Sequence, residues 1–137
     1  MSAEAGHASS SPFRSWNDVE RYEFVPGVHI KAAGGEQVCV CDVKYDAGKQ
    51  VPLHAHEHTE QIMVIIEGEC TVTVEGEPYT FGPGDVAVIN RGREHSVYSE
   101  HGVRFIEALA PVPLDHIPDK QRDLVLGPDG GSGHVER

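Results

Sequence analysis

The chain has 137 residues, enough for one domain with a real core and too few for two independent ones. Its formal net charge of -11, with lysines and arginines scattered singly, disfavours nucleic acid or an anionic membrane as partner, because either would repel it. The longest apolar run, Ile62 to Ile66, falls far short of the roughly 20 residues of a membrane-spanning helix, and "MSAEAGHASSSPF" has neither a positive leader nor an apolar segment. The expectation is a soluble cytoplasmic protein.

Residues 1–12 are small, polar and Ser-rich, and read as a flexible tail; residues 13–118 read as a single domain and 119–137, ending "GPDGGSGHVER", as a second flexible tail. "SWNDVERY" predicts one short helix, with Ser15 as cap and Asp18 in the capping-box position. After it the signals are for strands. In "EQVCVCDVKY" the cysteines Cys39 and Cys41 point to one face, as a soft-metal or redox pair or, the reading favoured by the burial habits of free thiols, as two small core residues. Cys70 reads the same way.

Period-two alternation is plain in "CTVTVEG", and apolar segments recur at "IMVII", "DVAVI", "HSVY" and "VRFIEALA". Between them lie "DAG", "EGE", "GPGD" and "NRGRE", turn-rich breaks at the spacing of an antiparallel sandwich or barrel. The fold class is all-β, with roughly eight to ten short strands.

"PLHAHEHTEQIMVII" places histidines directly before an apolar strand. Residues two apart in a strand project to one side, so His54 and His56 can aim at a single point, and Gln61 joins them if its face is the interior. A second polar intruder, His95, opens the strand "HSVY". Polar groups on an apolar inner face need a partner, and intruders on neighbouring strands point to a shared one. His58 reads as a surface residue of the bend, with ligation as the alternative, while His7, His29, His101, His116 and His134 read as ordinary core or surface histidines.

These residues resemble the cupin superfamily. Its first motif is matched by Gly48, five residues, His54 and His56, four residues, Gln61, six residues and Gly68. Its second is matched by Gly84, Gly92 and His95, with Asn90 in the proline position and Ser99 in the asparagine position. Glu60 would supply the acid of the first motif at the shorter spacing; counting back from Gly68 favours Gln61. The resemblance implies a small β-sandwich or barrel, a double-stranded β-helix of jelly-roll type. It also implies one divalent metal ion (Zn, Ni, Fe, Mn or Co) held by His54, His56, Gln61 and His95, and a homodimer. Four neutral ligands would leave the ion its full charge, which favours an oxyanion, enolate or carboxylate at the open positions.

With this spacing the chain is similar to cupins that ketonise unsaturated uronates and to bacterial polyketide cyclases. That implies a metal-dependent isomerase, lyase or cyclase acting on a small-molecule substrate through a stabilised enolate. A cupin dioxygenase is the alternative, and a non-catalytic small-molecule-binding cupin a second one. Tyr45, His58 and Tyr98 are candidates for the proton carrier. Met63, Val72, Val86, Val88 and Phe105 are expected to line the cavity or fill the core. Arg91 and Arg104 read as solvated charges, with an anionic substrate as the alternative partner.

Overall fold

The computed structural model describes residues 13–113; the expected tails at 1–12 and 119–137, together with residues 114–118, lie outside them. Among the described residues, ten strands follow a 3₁₀ turn at Trp16–Asp18. They are β1 (Tyr22–Val25), β2 (Val28–Gly34), β3 (Cys39–Tyr45), β4 (Lys49–His54), β5 (Glu60–Gly68), β6 (Cys70–Val74), β7 (Glu77–Phe81), β8 (Val86–Ile89), β9 (His95–Ser99) and β10 (Val103–Ala110). Every pairing is antiparallel. One sheet of six runs β1-β2-β3-β10-β5-β8, and one of four runs β4-β9-β6-β7. This is an all-β sandwich of the kind the alternation predicts. Among the described residues no helix is long and apolar enough to cross a membrane.

Alternation sets which side chains are inside. On β10, Val103, Phe105, Glu107 and Leu109 are buried while Arg104, Ile106 and Ala108 between them are half-buried. On β5, Gln61, Met63 and Ile65 are buried and Ile62, Val64 and Ile66 are exposed. Cys39, Cys41 and Cys70 are buried within the apolar cluster that both sheets share. Burial pushes the Cys70 thiol up to about 11, with the charge of Glu69 adding to it, so it stays protonated and inert.

Three expectations are corrected. Val86 and Val88 do not face the interior; they are 52% and 57% exposed, and Ala87 and Ile89 take the inner positions of β8. The reason is register: Ala87 lies opposite Met63 and Ile89 opposite Gln61, and in a period-two strand one pairing decides the side of every residue. The N-terminal helix is reduced to the 3₁₀ turn. Ser15 does cap it, its side chain accepting from the Asn17 N–H, but nothing in the turn is buried and Val19 is already extended; sheet pairing of Tyr22 with Ile30 claims the rest of the segment. Arg104 is not a solitary solvated charge: its Nε and a terminal nitrogen donate to both carboxylate oxygens of Asp42 at 3.0 and 3.2 Å, across the β3–β10 ladder.

Gly68 ends β5 at φ +82°, where a Cβ would run into the carbonyl of Gly102 and the Cα of Val103. Gly92 has a similar φ of +81°, with nothing within 4 Å of its Cβ position. Gly68→Ala is therefore expected to destabilise by about 2–3 kcal/mol or more, and Gly92→Ala by about 1–2 kcal/mol. Urea-unfolding midpoints of the two variants measure the difference; equal losses would mean that the close approach at Gly68 relaxes freely.

Candidate metal centre

Both motifs converge at one end of the sandwich. His54 is the last residue of β4 and lies opposite His95, the first of β9. His56 follows in the bend to β5, and the two motifs are tied there, because the Gly92 N–H donates to the His56 carbonyl at 2.7 Å. The three imidazoles stand against one another with ring centroids 4.2 to 5.4 Å apart, and one ligand atom from each lies within 4.8 Å of the others. His56 and His95 are buried and His54 is partly so. This group can hold a metal ion.

The ring orientations are set from behind. A backbone carbonyl can only accept, so the bonds from His54 Nδ1 to the Pro52 oxygen at 2.7 Å and from His95 Nδ1 to the Arg93 oxygen at 2.9 Å put the proton on Nδ1 in each ring. That leaves a lone pair on Nε2 of each neutral ring, the form a metal needs. Burial lowers the His95 pKa below 6.5, outweighing the opposite pull of the Arg93 carbonyl, so this ring is neutral at pH 7.

Gln61 enters from the other sheet. Its Nε2 donates to Glu107 Oε1 at 2.7 Å, a buried bond. Gln61 lies opposite Leu109, so Glu107 is its diagonal neighbour on the same inner face, within reach of two long side chains. The carboxylate claims the amide nitrogen and thereby turns Oε1 the other way. Gln61 Oε1 and His95 Nε2 are both buried with no hydrogen-bond partner among the described residues. Two electron-rich atoms left bare beside further imidazoles are what a cation would satisfy, so the donor set fits a divalent ion.

A cavity of about 30 Å³ opens onto this cluster, lined by His54, His56, Gln61, His95, Glu107 and Tyr45 and otherwise by apolar side chains such as Phe24, Ile30 and Phe105. That is room for roughly two waters, or for the reacting end of a substrate. Tyr45 thus shares the cavity, and burial first, then the charge of Glu107, hold its phenol well above its ordinary value; it is a neutral O–H. His58 is 56% exposed beside Glu57, and Tyr98 is 40% exposed on the outer face of β9, so neither lines the cavity. Glu60 is exposed and accepts from Asn90, whereas Gln61 is buried. Ser99 replaces the motif asparagine as a turn clasp, donating to the Glu69 carbonyl and accepting from the Gly102 N–H.

Glu107 was not singled out from the sequence. A signal existed: in "VRFIEALA" it occupies the same phase as Val103, Phe105 and Leu109, an acid where alternation demands an apolar residue.

The family model of the cupin domain matches residues 41–108, which hold all of these groups. The chain belongs to the cupin superfamily. Among solved structures it is similar to KdgF from Halomonas sp., with a TM-score of 0.69 and 26% identity over 74% of this chain and 94% of that one. It also shares the fold of the polyketide cyclase RemF from Streptomyces resistomycificus, with a TM-score of 0.64 and 17% identity over 74% of this chain and 80% of that one. A segment of this cupin is 37% identical over 60 residues to the quercetin 2,3-dioxygenase of Bacillus subtilis (strain 168), covering 43% of this chain and 18% of the dioxygenase. The chain therefore spans only a small part of that curated relative.

The buried, neutral His95 makes the metal-free protein acid-sensitive. Below pH 6.5 the unfolded chain takes up a proton that the folded ring, with its lowered pKa, does not; stability contributed by keeping the ring neutral is complete above 6.5 and declines as the pH falls below it. Urea midpoints of chelator-treated protein are expected to fall from pH 7.5 towards 5.5, and to fall less steeply in His95→Gln. Equal slopes would show that His95 does not carry the effect.

Proposed function

We propose that this cupin is a metal-dependent, non-hydrolytic enzyme of the isomerase, lyase or cyclase kind. Its substrate would be a small molecule with an acidic C–H beside a carbonyl or enol, as in an unsaturated uronate or a polyketide. The observation that carries this reading is the meeting of three imidazoles, the bare Gln61 Oε1 and the Glu107 carboxylate in one small cavity.

His54, His56 and His95, with Gln61 Oε1, would hold the ion. When bound, it supplies a Lewis acid to a substrate oxygen. Glu107 would take the proton from the carbon beside the carbonyl and return it, to another carbon in an isomerisation or to the oxygen of the carbonyl that the enolate attacks in a cyclisation, so that no net proton is consumed. Its hydrogen bond to Gln61 holds the carboxylate in place and aims the amide oxygen. Tyr45, held neutral, is suited to donate its hydroxyl to a developing oxyanion and not to act as base. Apolar walls keep water from competing for that proton. No lysine or arginine is among the described residues lining the cavity, so an anionic group on the substrate would remain at its mouth.

The local identity to the quercetin dioxygenase favours a second reading, in which the same ligands hold a redox-active ion and oxygen is a co-substrate.

Protein purified without chelator is expected to carry about one divalent ion per chain, as one closed set of donors implies. Elemental analysis of His54→Ala should find most of it lost, and wild-type metal content in that variant would reject the site. Glu107→Gln is expected to keep the metal while losing about 10²–10⁴-fold in kcat. Turnover of uronate and polyketide substrates should proceed without oxygen, stop with chelator and return with Zn. A strict need for oxygen and a redox-active metal would replace this reading by the dioxygenase.

A further inference from the structure

Sheet register places the groups of the metal cavity in order along its depth. Two residues along a strand span about 7 Å and return to the same face. On the larger sheet Glu107 lies opposite Cys41; two residues further from the metal end, Phe105 lies opposite Val43, and Val43 opposite Ile30. On the smaller sheet His95 is followed at the same step by Val97, which lies opposite Val51. Ile30, Val43, Val51, Val97 and Phe105 thus form an apolar belt just inside the ligands, and all of them are buried and line the cavity.

The belt offers a substrate almost no hydrogen bond. With the three histidines and the Gln61 oxygen committed to an ion, and the Gln61 amide nitrogen bonded to Glu107, the polar groups left on the wall are the Glu107 carboxylate and the Tyr45 hydroxyl. The tyrosine ring stands 5.7 Å from that of Phe105. Serine, threonine, asparagine, lysine and arginine are all absent from the described residues that line the cavity. A sugar acid carries a hydroxyl on nearly every carbon, and each one pressed against the belt gives up water without gaining a partner. Walls of this kind disfavour a single added hydroxyl by about 10²-fold. The space is also short, since about 30 Å³ takes roughly two water-sized groups.

We propose that the substrate is an enolisable dicarbonyl compound whose inward end is a short hydrocarbon group, a methyl or an ethyl, and that Val43 and Val97, one from each sheet, set the length of that end. This rests on the enolate chemistry proposed above. The two carbonyl oxygens suit the open positions of the ion, and the C–H between them is the acidic one for Glu107 to remove. The alkyl end replaces water against the belt, where its burial is favourable. Of the two kinds of substrate named above, the polyketide-like dicarbonyl is then accepted and the hydroxylated uronate is not.

Calorimetric titration of the metal-loaded full chain under nitrogen, with pentane-2,4-dione, nonane-4,6-dione and galacturonate as probes, reads this directly as binding. Both diones are symmetric, so whichever end enters is methyl in the first and propyl in the second. Pentane-2,4-dione is expected to bind at least about tenfold more tightly than nonane-4,6-dione, and about 10²-fold more tightly than galacturonate. Val97→Ala and Val43→Ala each remove two methyl groups from the belt, and are expected to bring the two diones to within about threefold of each other with metal content unchanged. Equal affinity of the wild-type protein for the two diones, or for galacturonate and pentane-2,4-dione, overturns this substrate class while leaving the enolate chemistry in place. Failure of both diones to bind protein that holds its metal overturns the two together. If neither alanine variant folds, the wild-type preference between the diones decides.

Discussion

Buried electron-rich nitrogen and oxygen atoms at one end of an apolar sandwich are the constraint on which the rest of this structure depends. Gln61 Oε1 and His95 Nε2 are removed from water without a hydrogen bond among the described residues, at about 1–3 kcal/mol for each such atom. Two sheets have to bring them together, since His54 and His95 come from the smaller sheet and Gln61 from the larger. A cation there would offset the desolvation and link the sheets, so that metal binding and fold stability are coupled.

Each ligand is aimed by a group behind it. Backbone carbonyls of Pro52 and Arg93 hold two rings in the tautomer with a lone pair on Nε2, and Glu107 holds the Gln61 amide by its nitrogen. Of these, Glu107 can do more than orient. It is a carboxylate on the wall of the cavity itself, beside a tyrosine that burial keeps protonated. The same alternation that builds the core of β10 therefore also delivers its acid to the site.

Much of the fold was legible because strand alternation is written locally. The inward set Gln61, Met63, Ile65 and the paired burial of Cys39 and Cys41 follow from period two alone. The phase of β8 is not legible in the sequence, because both of its faces are apolar, Val86 and Val88 on one and Ala87 and Ile89 on the other, and only the pairing with β5 decides which is inside. The β8 outer face and its bare edge, which are of no use to the core, became readable as a surface only once the strand order placed β8 outermost.

By itself the sequence determined which residue types stand at the ligand positions. The spacing of His54, His56 and Gln61 is a property of one strand and its bend, and His95 opens another strand. Only the tertiary structure decided that Glu107, 46 residues from Gln61, is the partner of its amide, that Tyr45 shares the cavity, and that His58 and Tyr98 face solvent. Contacts across sheets depend on strand order and register, which are set by the burial of the whole chain and are not encoded in any short segment of it.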